Sequence, residues 1–219
     1  MIKWKLENKI KFPFFMCVIL KGLVIRLGSK DNKDHSDIYK TVLKLFSEKG
    51  IKFTMDDIAR ELRISKKTIY VSFKDKETLF IATVDHLFDS IKEEEKKIVE
   101  DDSLSTIEKL EKVLGVLPDN YKDINFEWLY VLKDKYPSIY KRVEKRLENG
   151  WEITISLIEK AMEEGVIRQV PIPLFKTMFE STLERFFQED ILIKNKITYT
   201  KALTNVIEIL LYGVVREQA

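Results

Sequence analysis

Two helix starts lie close together in residues 53–73, which carry the sequence FTMDDIARELRISKKTIYVSF. Thr54 is followed three residues later by Asp57, the spacing at which a hydroxyl and a carboxylate cap each other's backbone N–H groups. Ser65 provides a second cap eleven residues after Thr54. Each cap is flanked by two apolar residues at the spacing of a hydrophobic staple, namely Phe53 with Ile58 and Ile64 with Ile69. This pattern predicts two short helices joined by a tight turn, which is a helix-turn-helix.

The second of these helices is predicted to show polar side chains to solvent. If Ile69 and Phe73 define its buried side, a rotation of about 100° per residue turns Lys67 and Val71 outwards. Cationic, hydroxyl and aromatic groups on an exposed helix suit the phosphates and base edges of the DNA major groove. The predicted DNA-contacting residues of this segment are Ser65, Lys66, Lys67, Thr68, Tyr70 and Val71.

Positive charge is concentrated in the same segment. Residues 60–76 contain six Lys or Arg and two acidic residues. Residues 1–30 hold seven Lys or Arg against one acid, so residues 31–219 carry a net charge of −4 although the whole chain is at +2. A local cationic surface gains free energy by releasing counterions from DNA. A merely solvated charged face is the alternative, but the charge coincides here with two caps and a buried helix face.

The composition favours helices and offers little for catalysis. Only seven glycines and five prolines occur in 219 residues, and 45% of the residues are apolar. One cysteine and two histidines provide neither an internal disulfide nor a Cys/His zinc site, which fits a cytoplasmic protein. Motifs for a nucleophile elbow, a zincin helix or a phosphate-binding glycine loop are missing from the sequence. No enzyme activity, catalytic residue, metal or cofactor is therefore expected.

Residues 53–60, 64–70 and 73–80 together resemble the DNA-binding domain of the tetracycline-repressor (TetR) family, over roughly residues 36–80. The resemblance implies a phosphate contact for Thr54, a recognition helix over Lys66 to Tyr70 and a backbone contact for Lys76. It also implies a homodimer with a larger helical C-terminal domain that binds an inducer.

The sequence departs from the family pattern at two places. Arg63 stands in the turn where the family often has glycine, and a non-glycine residue in the left-handed region costs about 1 kcal/mol. Val71 and Ser72 stand where aromatic residues or histidine are common. The first departure leaves the shape of the turn open, and the second changes the expected base preference.

The predicted fold is all-α, with a three-helix DNA-binding domain followed by a larger helical ligand-binding and dimerisation domain. The predicted parts are an N-terminal extension at 1–30, the helix-turn-helix domain at 31–80 and the C-terminal domain at 81–219. The extension has an apolar run that is too short to span a bilayer and lacks a small-residue cleavage site. Export, a membrane anchor, a partly ordered extension and a mis-assigned start stay open, and no membrane partner is expected.

Helix signals continue through the C-terminal part. Asp75 is the predicted cap of a long helix that ends before Asp101. Further helices are predicted to about Leu117, over 122–133, from Pro137 to Glu164 with a possible kink at Gly150, over 173–189 and over 198–215.

Two further groups of candidate residues come from these helices. An apolar pocket with a few polar groups is suggested by His86, Phe126, Trp128, Tyr136, Trp151, Thr154 and Met162, although each of them is also a plausible core residue. The last two helices are apolar on more than one face, which suggests a four-helix interface between two subunits or, alternatively, complete burial in one. The candidate interface residues are Phe179, Leu183, Phe186, Val206, Leu210 and Gly213.

The hypothesis from sequence is a cytoplasmic, ligand-responsive repressor. A homodimer would bind a palindromic operator in double-stranded DNA, and a small apolar effector would release it. The alternative is a DNA-addressed interaction protein whose C-terminal domain docks a protein partner. Apolar space between the middle helices would favour the first, and a solid core with an exposed apolar patch would favour the second.

Overall fold

A computed structural model of the chain describes residues 35–118 and 130–212. All the secondary-structure elements in these two ranges are helices, which confirms the predicted all-α class. The helices are α1 (Ser36–Lys49), α2 (Met55–Leu62), α3 (Lys66–Ser72), α4 (Lys76–Glu100), α5 (Thr106–Leu114), α6 (Leu132–Lys135), α7 (Pro137–Glu148), α8 (Glu152–Glu163), α9 (Ile172–Gln188), α10 (Ile191–Asn195) and α11 (Tyr199–Tyr212), with a 3₁₀ turn over Gly50–Lys52.

Both predicted caps of the helix-turn-helix are confirmed. At the start of α2 the Thr54 hydroxyl accepts the N–H of Asp57 at 3.2 Å, and the Asp57 carboxylate accepts the N–H of Thr54 at 2.8 Å. At the start of α3 the Ser65 hydroxyl accepts the N–H of Thr68 at 3.1 Å. These bonds satisfy first-turn N–H groups that have no partner inside a helix, so they fix where α2 and α3 begin.

The turn between α2 and α3 contains a residue in the left-handed conformation, and this residue is not a glycine. Arg63 has φ 54° and ψ 37°, and its N–H contacts the carbonyls of Ala59 and Arg60. The next N–H, of Ile64, bonds to the Ala59 carbonyl at 3.0 Å. Ile58 and Ile69 are fully buried on the two sides of the turn. The packing of α2 against α3 therefore holds Arg63 in a conformation that its side chain disfavours.

Helix α4 is long and continuous. Asp75 caps it by accepting the N–H of Thr78 at 2.7 Å, and it runs for 25 residues. The predicted boundary at residue 80 falls inside this helix, and residues from Asp37 onward form one compact unit. The division into a DNA-binding and a C-terminal domain at this residue stays a prediction.

The C-terminal helices differ from the predicted ones in three ways. One helix was expected from Pro137 to Glu164 with a possible kink at Gly150, but α7 and α8 are separate, because the chain leaves the helix at the extended residue Asn149 and Gly150 then has φ +83°. Helix α5 ends at Leu114 rather than at Leu117. The short helix α10 had not been expected.

Several predictions lie outside the described residues. These are the extension at 1–30, most of the helix expected at 122–133, the pocket candidates Phe126 and Trp128, and the interface candidate Gly213. In the part of the chain that the structure describes, no helix is both long enough and apolar enough to cross a bilayer.

We expect Arg63→Gly to raise the free energy of unfolding by roughly 0.5–1 kcal/mol, because glycine adopts positive φ without steric cost. Arg60→Gly is the matched control, since the same change inside α2 should lower stability by about 1 kcal/mol. Urea unfolding monitored by circular dichroism measures both. Equal effects of the two substitutions would show that the left-handed turn does not strain Arg63.

Candidate DNA-binding surface and interior cavity

Helix α3 presents its predicted face to solvent. Lys66, Lys67 and Thr68 are exposed, and Tyr70 and Val71 keep 45% and 79% of their accessible surface. Ile69, between them, is completely buried and fastens the helix to the core. The structure thus gathers the α3 candidates on one open surface of hydroxyl, aromatic, aliphatic and cationic groups.

The two capping hydroxyls lie beside this face, but they already have partners. Thr54 is exposed, and its hydroxyl donates to the Asp57 carboxylate at 2.7 Å. The Ser65 hydroxyl shares a hydrogen bond of 2.8 Å with the Thr68 hydroxyl. A phosphate would meet these groups at the N-termini of α2 and α3, where helix dipoles and first-turn N–H groups favour anions.

The cations of this surface are not equivalent. Lys66 forms an ion pair of 2.7 Å with Asp56 on α2, which offsets its charge. Lys67 is exposed and makes no ion pair with any of the described residues. Lys67 is therefore the α3 cation that is most available to a phosphate.

The implied DNA contact of Lys76 stays a prediction, and in this structure its side chain packs against neighbouring residues of the chain. Its ammonium is half-buried, donates to the carbonyl of Ile51 and lies 4.1 Å from the centre of the Phe53 ring. It also lies 5.4 Å from the ring of Tyr136, and burial lowers the pKa of its ammonium. In this conformation Lys76 fastens the first turn of α4 to the 3₁₀ turn before α2 instead of reaching outwards.

A cavity of about 150 Å³ lies among α1, α4, α5, α6, α7, α8, α9 and α11. An engineered cavity of about this size in another protein admits small apolar molecules. Most of the wall of the present cavity is apolar, and α4 contributes Phe80, Val84, Leu87, Phe88, Ile91, Lys92 and Glu95. Helix α1 contributes Leu43 and Phe46, and α9 contributes Phe179, Leu183 and Phe187. Helix α1 of the predicted DNA-binding domain and the C-terminal helices thus share one cavity wall.

Two of the predicted pocket residues line this cavity, Trp151 and Thr154. Three do not. His86 packs against the Tyr39 ring at 4.8 Å, Tyr136 faces Lys76, and the Met162 sulfur accepts the N–H of Val170. Each of the three fills a packing or capping position elsewhere.

Sequence reasoning missed the polar part of the wall. The Lys92 ammonium bonds to both carboxylate oxygens of Glu95 at 2.7 Å and to the carbonyl of Gly150. Glu95 is buried, and this burial raises the pKa of its carboxyl. Both residues belong to a run of acids and lysines that resembles a solvated helix face, so only their spacing from the apolar stripe of α4 could have revealed them.

Ion pairs between arginines of α7 and aspartates of α4 join these two helices. Arg142 donates to Asp85 at 2.6 Å, and Arg146 donates to Asp89 at 2.6 Å and lies 3.7 Å from Asp85. Arg146 also lines the cavity. These contacts fix the middle of α4 against α7.

The interface candidates separate into two groups. Phe179 and Leu183 are buried and face the cavity, so they offer no surface to a second copy. Phe186, Val206 and Leu210 are partly exposed. The open apolar side chains on these helices are different ones, namely Leu174 at 56% exposure, Met178 at 50% and Ile209 at 72%.

Comparisons with known proteins agree with a helix-turn-helix in this part of the chain. Residues 38–83 match the family model for bacterial regulatory proteins of the tetR family. An uncharacterized HTH-type transcriptional regulator of Bacillus subtilis (strain 168), YvaF, is 25% identical over 181 residues, which cover 83% of this chain and 95% of that protein.

Two solved structures have a similar fold. The fatty acid degradation regulator FadR from Bacillus halodurans has a TM-score of 0.60 at 17% identity, over 84% of this chain and 97% of that one. FadR from Bacillus subtilis, in complex with stearoyl-CoA, has a TM-score of 0.56 at 17% identity, over 82% of this chain and 99% of that one. These likenesses show a shared fold, and the match of the family model to residues 38–83 confirms the resemblance that residues 53–80 indicated.

Lys67→Ala should weaken binding to DNA and reduce its dependence on salt. Removing one phosphate contact lowers the slope of log K against log salt by about 0.9. Lys96→Ala, an equally drastic change at an exposed position on α4, is the control and should leave the slope unchanged. Fluorescence anisotropy between 50 and 200 mM salt measures both, and equal slopes for the parent and Lys67→Ala would contradict the placement of α3 against phosphate.

Stability should fall in mild acid because of His86. Burial lowers the pKa of its imidazole in the folded chain, so the unfolded chain takes up the proton first as the pH falls below about 6.5. The free energy of unfolding therefore decreases from pH 7 through the lowered pKa of the folded chain. His86→Phe keeps a ring beside Tyr39 and should lose less stability over the same range in denaturant titrations. Parallel pH curves for the two proteins would contradict this assignment.

Proposed function

We propose that this chain, a transcriptional regulator of the TetR family, binds a palindromic operator as a homodimer and represses until a small apolar molecule enters its interior cavity. The observation that carries the proposal is the shared wall of that cavity. Leu43 and Phe46 of α1 and Phe80 of α4 meet side chains of α7 and α9 there. A molecule in this space would contact the DNA-binding helices directly.

Reading a palindrome requires two copies of α3. The helix has seven residues, so one copy reaches few base pairs, whereas a two-fold pair reads two half-sites about one DNA turn apart. Thr68, Tyr70 and Val71 are the groups proposed to contact base edges, and Lys67 is proposed to contact phosphate.

The open apolar side chains of α9 and α11 support a homodimer. Leu174 and Met178 lie one turn apart on α9, and Ile209 lies on α11, which packs beside α9. Burying such residues against a second copy is the simplest way to remove them from water. The four helices of this interface would set the separation of the two α3 helices.

Helix α4 connects the cavity to the helices that are proposed to bind DNA. Its first turn holds the 3₁₀ turn before α2 through Lys76, and its middle is fixed to α7 by Asp85 and Asp89. An effector that favours another position of α4 would change the spacing of the α3 helices. It must bind that released form more tightly than the DNA-bound one, because equal affinity shifts no equilibrium.

An apolar effector is consistent with the lining of the cavity and with the ligand held by one of the structural neighbours. The Bacillus subtilis FadR structure holds stearoyl-CoA, and the cavity of this chain is lined mainly by aliphatic and aromatic side chains. A setting in the cytoplasm, where operator DNA and acyl compounds meet, belongs to the same proposal. The alternative is a DNA-addressed protein that docks a partner on the Leu174–Met178 face, and it leaves the cavity without a use.

The first test is the selection of bound fragments from the genome, followed by sequencing and by light scattering of the complex. We expect a two-fold symmetric site with two chains bound per site. Recovered fragments without any shared motif would contradict the operator proposal.

Met178→Glu should place a charge in the interface, shift the protein towards monomer and weaken operator binding at least tenfold. Val99→Glu, the same kind of change at an exposed apolar position on α4, should retain the dimer and its affinity. Sedimentation at low micromolar concentration and anisotropy measure the two properties. A Met178→Glu protein that remains a dimer would move the interface to another face.

A further inference from the structure

The interior cavity is mainly apolar and is polar at one end. Beside Phe80 the wall is completed by Phe46, which packs edge-on against it. At the other end the wall holds Lys92, Glu95 and Asn149. A cavity of about 150 Å³ with this lining suits a small molecule that has an apolar body and a polar head.

The cations of this wall are already neutralised. The Lys92 ammonium uses its three N–H groups on the two oxygens of Glu95 and on the Gly150 carbonyl. Arg146 is paired with Asp89 at 2.6 Å and lies over the Phe88 ring. A ligand carboxylate would have to displace Glu95 or Asp89 in order to pair with a cation. Otherwise it would be buried without a partner, which is unfavourable in free energy.

Glu95 can still accept hydrogen bonds. Its carboxylate has about four acceptor positions, and among the described residues its hydrogen bonds come from Lys92 alone. A hydroxyl or an amide N–H would fill an open position without adding charge. An ammonium head would have to compete with Lys92, which is already held in place by the chain.

We infer that the cavity takes a small uncharged amphiphile, with an apolar body against α4 and a neutral hydrogen-bond-donating head at Glu95. The inference rests on the proposed effector function and adds the chemical class of the effector. The apolar body of the ligand lies against Ile91 and Phe88, about one and two turns of α4 before Glu95. The head lies near Gly150, between α7 and α8.

The test uses the full chain and a set of compounds with a six-carbon chain that differ only in the head. Hexanol and hexanamide are neutral donors, methyl hexanoate is neutral without a donor, and hexanoate and hexylamine are charged. Isothermal titration calorimetry at pH 7.5 measures the binding of each compound. We expect the neutral donors to bind at least tenfold more tightly than either charged compound and several-fold more tightly than the ester.

Charge-changing variants make the assignment specific. Glu95→Gln leaves Lys92 without its carboxylate and should shift the preference to hexanoate, whereas Lys92→Met leaves Glu95 unpaired and should shift it to hexylamine. Glu94→Gln is the matched control, because Glu94 pairs with Lys97 outside the cavity lining, and it should keep the parental order. Circular dichroism checks that each variant is folded.

Three results would overturn the inference: tighter binding of a charged compound by the parent, an order unchanged in Glu95→Gln and Lys92→Met, or no binding of any compound. Selection of genomic DNA tests the proposed function separately. Operator binding without the expected head-group order contradicts the ligand class only. The expected order without sequence-specific DNA binding contradicts the regulator proposal only.

Discussion

Helix α4 is the constraint on which the arrangement of this molecule depends. Its first turn is held by Lys76, whose ammonium is enclosed by the Ile51 carbonyl and the Phe53 ring. Its middle is fixed to α7 by the pairs of Arg142 and Arg146 with Asp85 and Asp89. Between these points its inner face forms one wall of the cavity. A change in the cavity and a change at the DNA-binding surface therefore involve the same rigid element.

The strengths of these contacts differ in a way that suits movement. The Arg146–Asp89 and Arg142–Asp85 pairs are partly exposed, and ion pairs of this kind contribute little net stability. The apolar contacts of Ile58, Ile69 and Phe46 are fully buried and hold the helix-turn-helix together. Under the proposed mechanism, a ligand would therefore shift α4 and the helix-turn-helix together and leave the packing within α1 to α3 intact.

Much of the helix-turn-helix could be predicted from sequence because its signals are local. The caps at Thr54 and Ser65 each follow from residues within one helical turn. The shape of the turn at Arg63 could not be settled in this way, since the packing of Ile58 and Ile69 imposes it. The position of the Lys76 ammonium could not be predicted either, because its burial against Phe53 decides where it lies.

The cavity was harder to predict because its wall comes from helices far apart in the chain. Aromatic residues such as Tyr136 and methionines such as Met162 occur at helical spacing both in a core and in a ligand pocket. Their spacing therefore does not distinguish the two. The ionic pair of Lys92 and Glu95 was hidden in a stretch of charges that is typical of solvent-facing helices. Only the three-dimensional positions of Gly150 and α4 place this pair at the cavity wall.

The most direct test of the account is the linkage between cavity and operator. The operator dissociation constant is measured with and without saturating hexanol, and the hexanol dissociation constant with and without operator. The account predicts that each ligand weakens the binding of the other by the same factor, at least tenfold, because both act on α4. An operator affinity that is unchanged while hexanol occupies the cavity would contradict it.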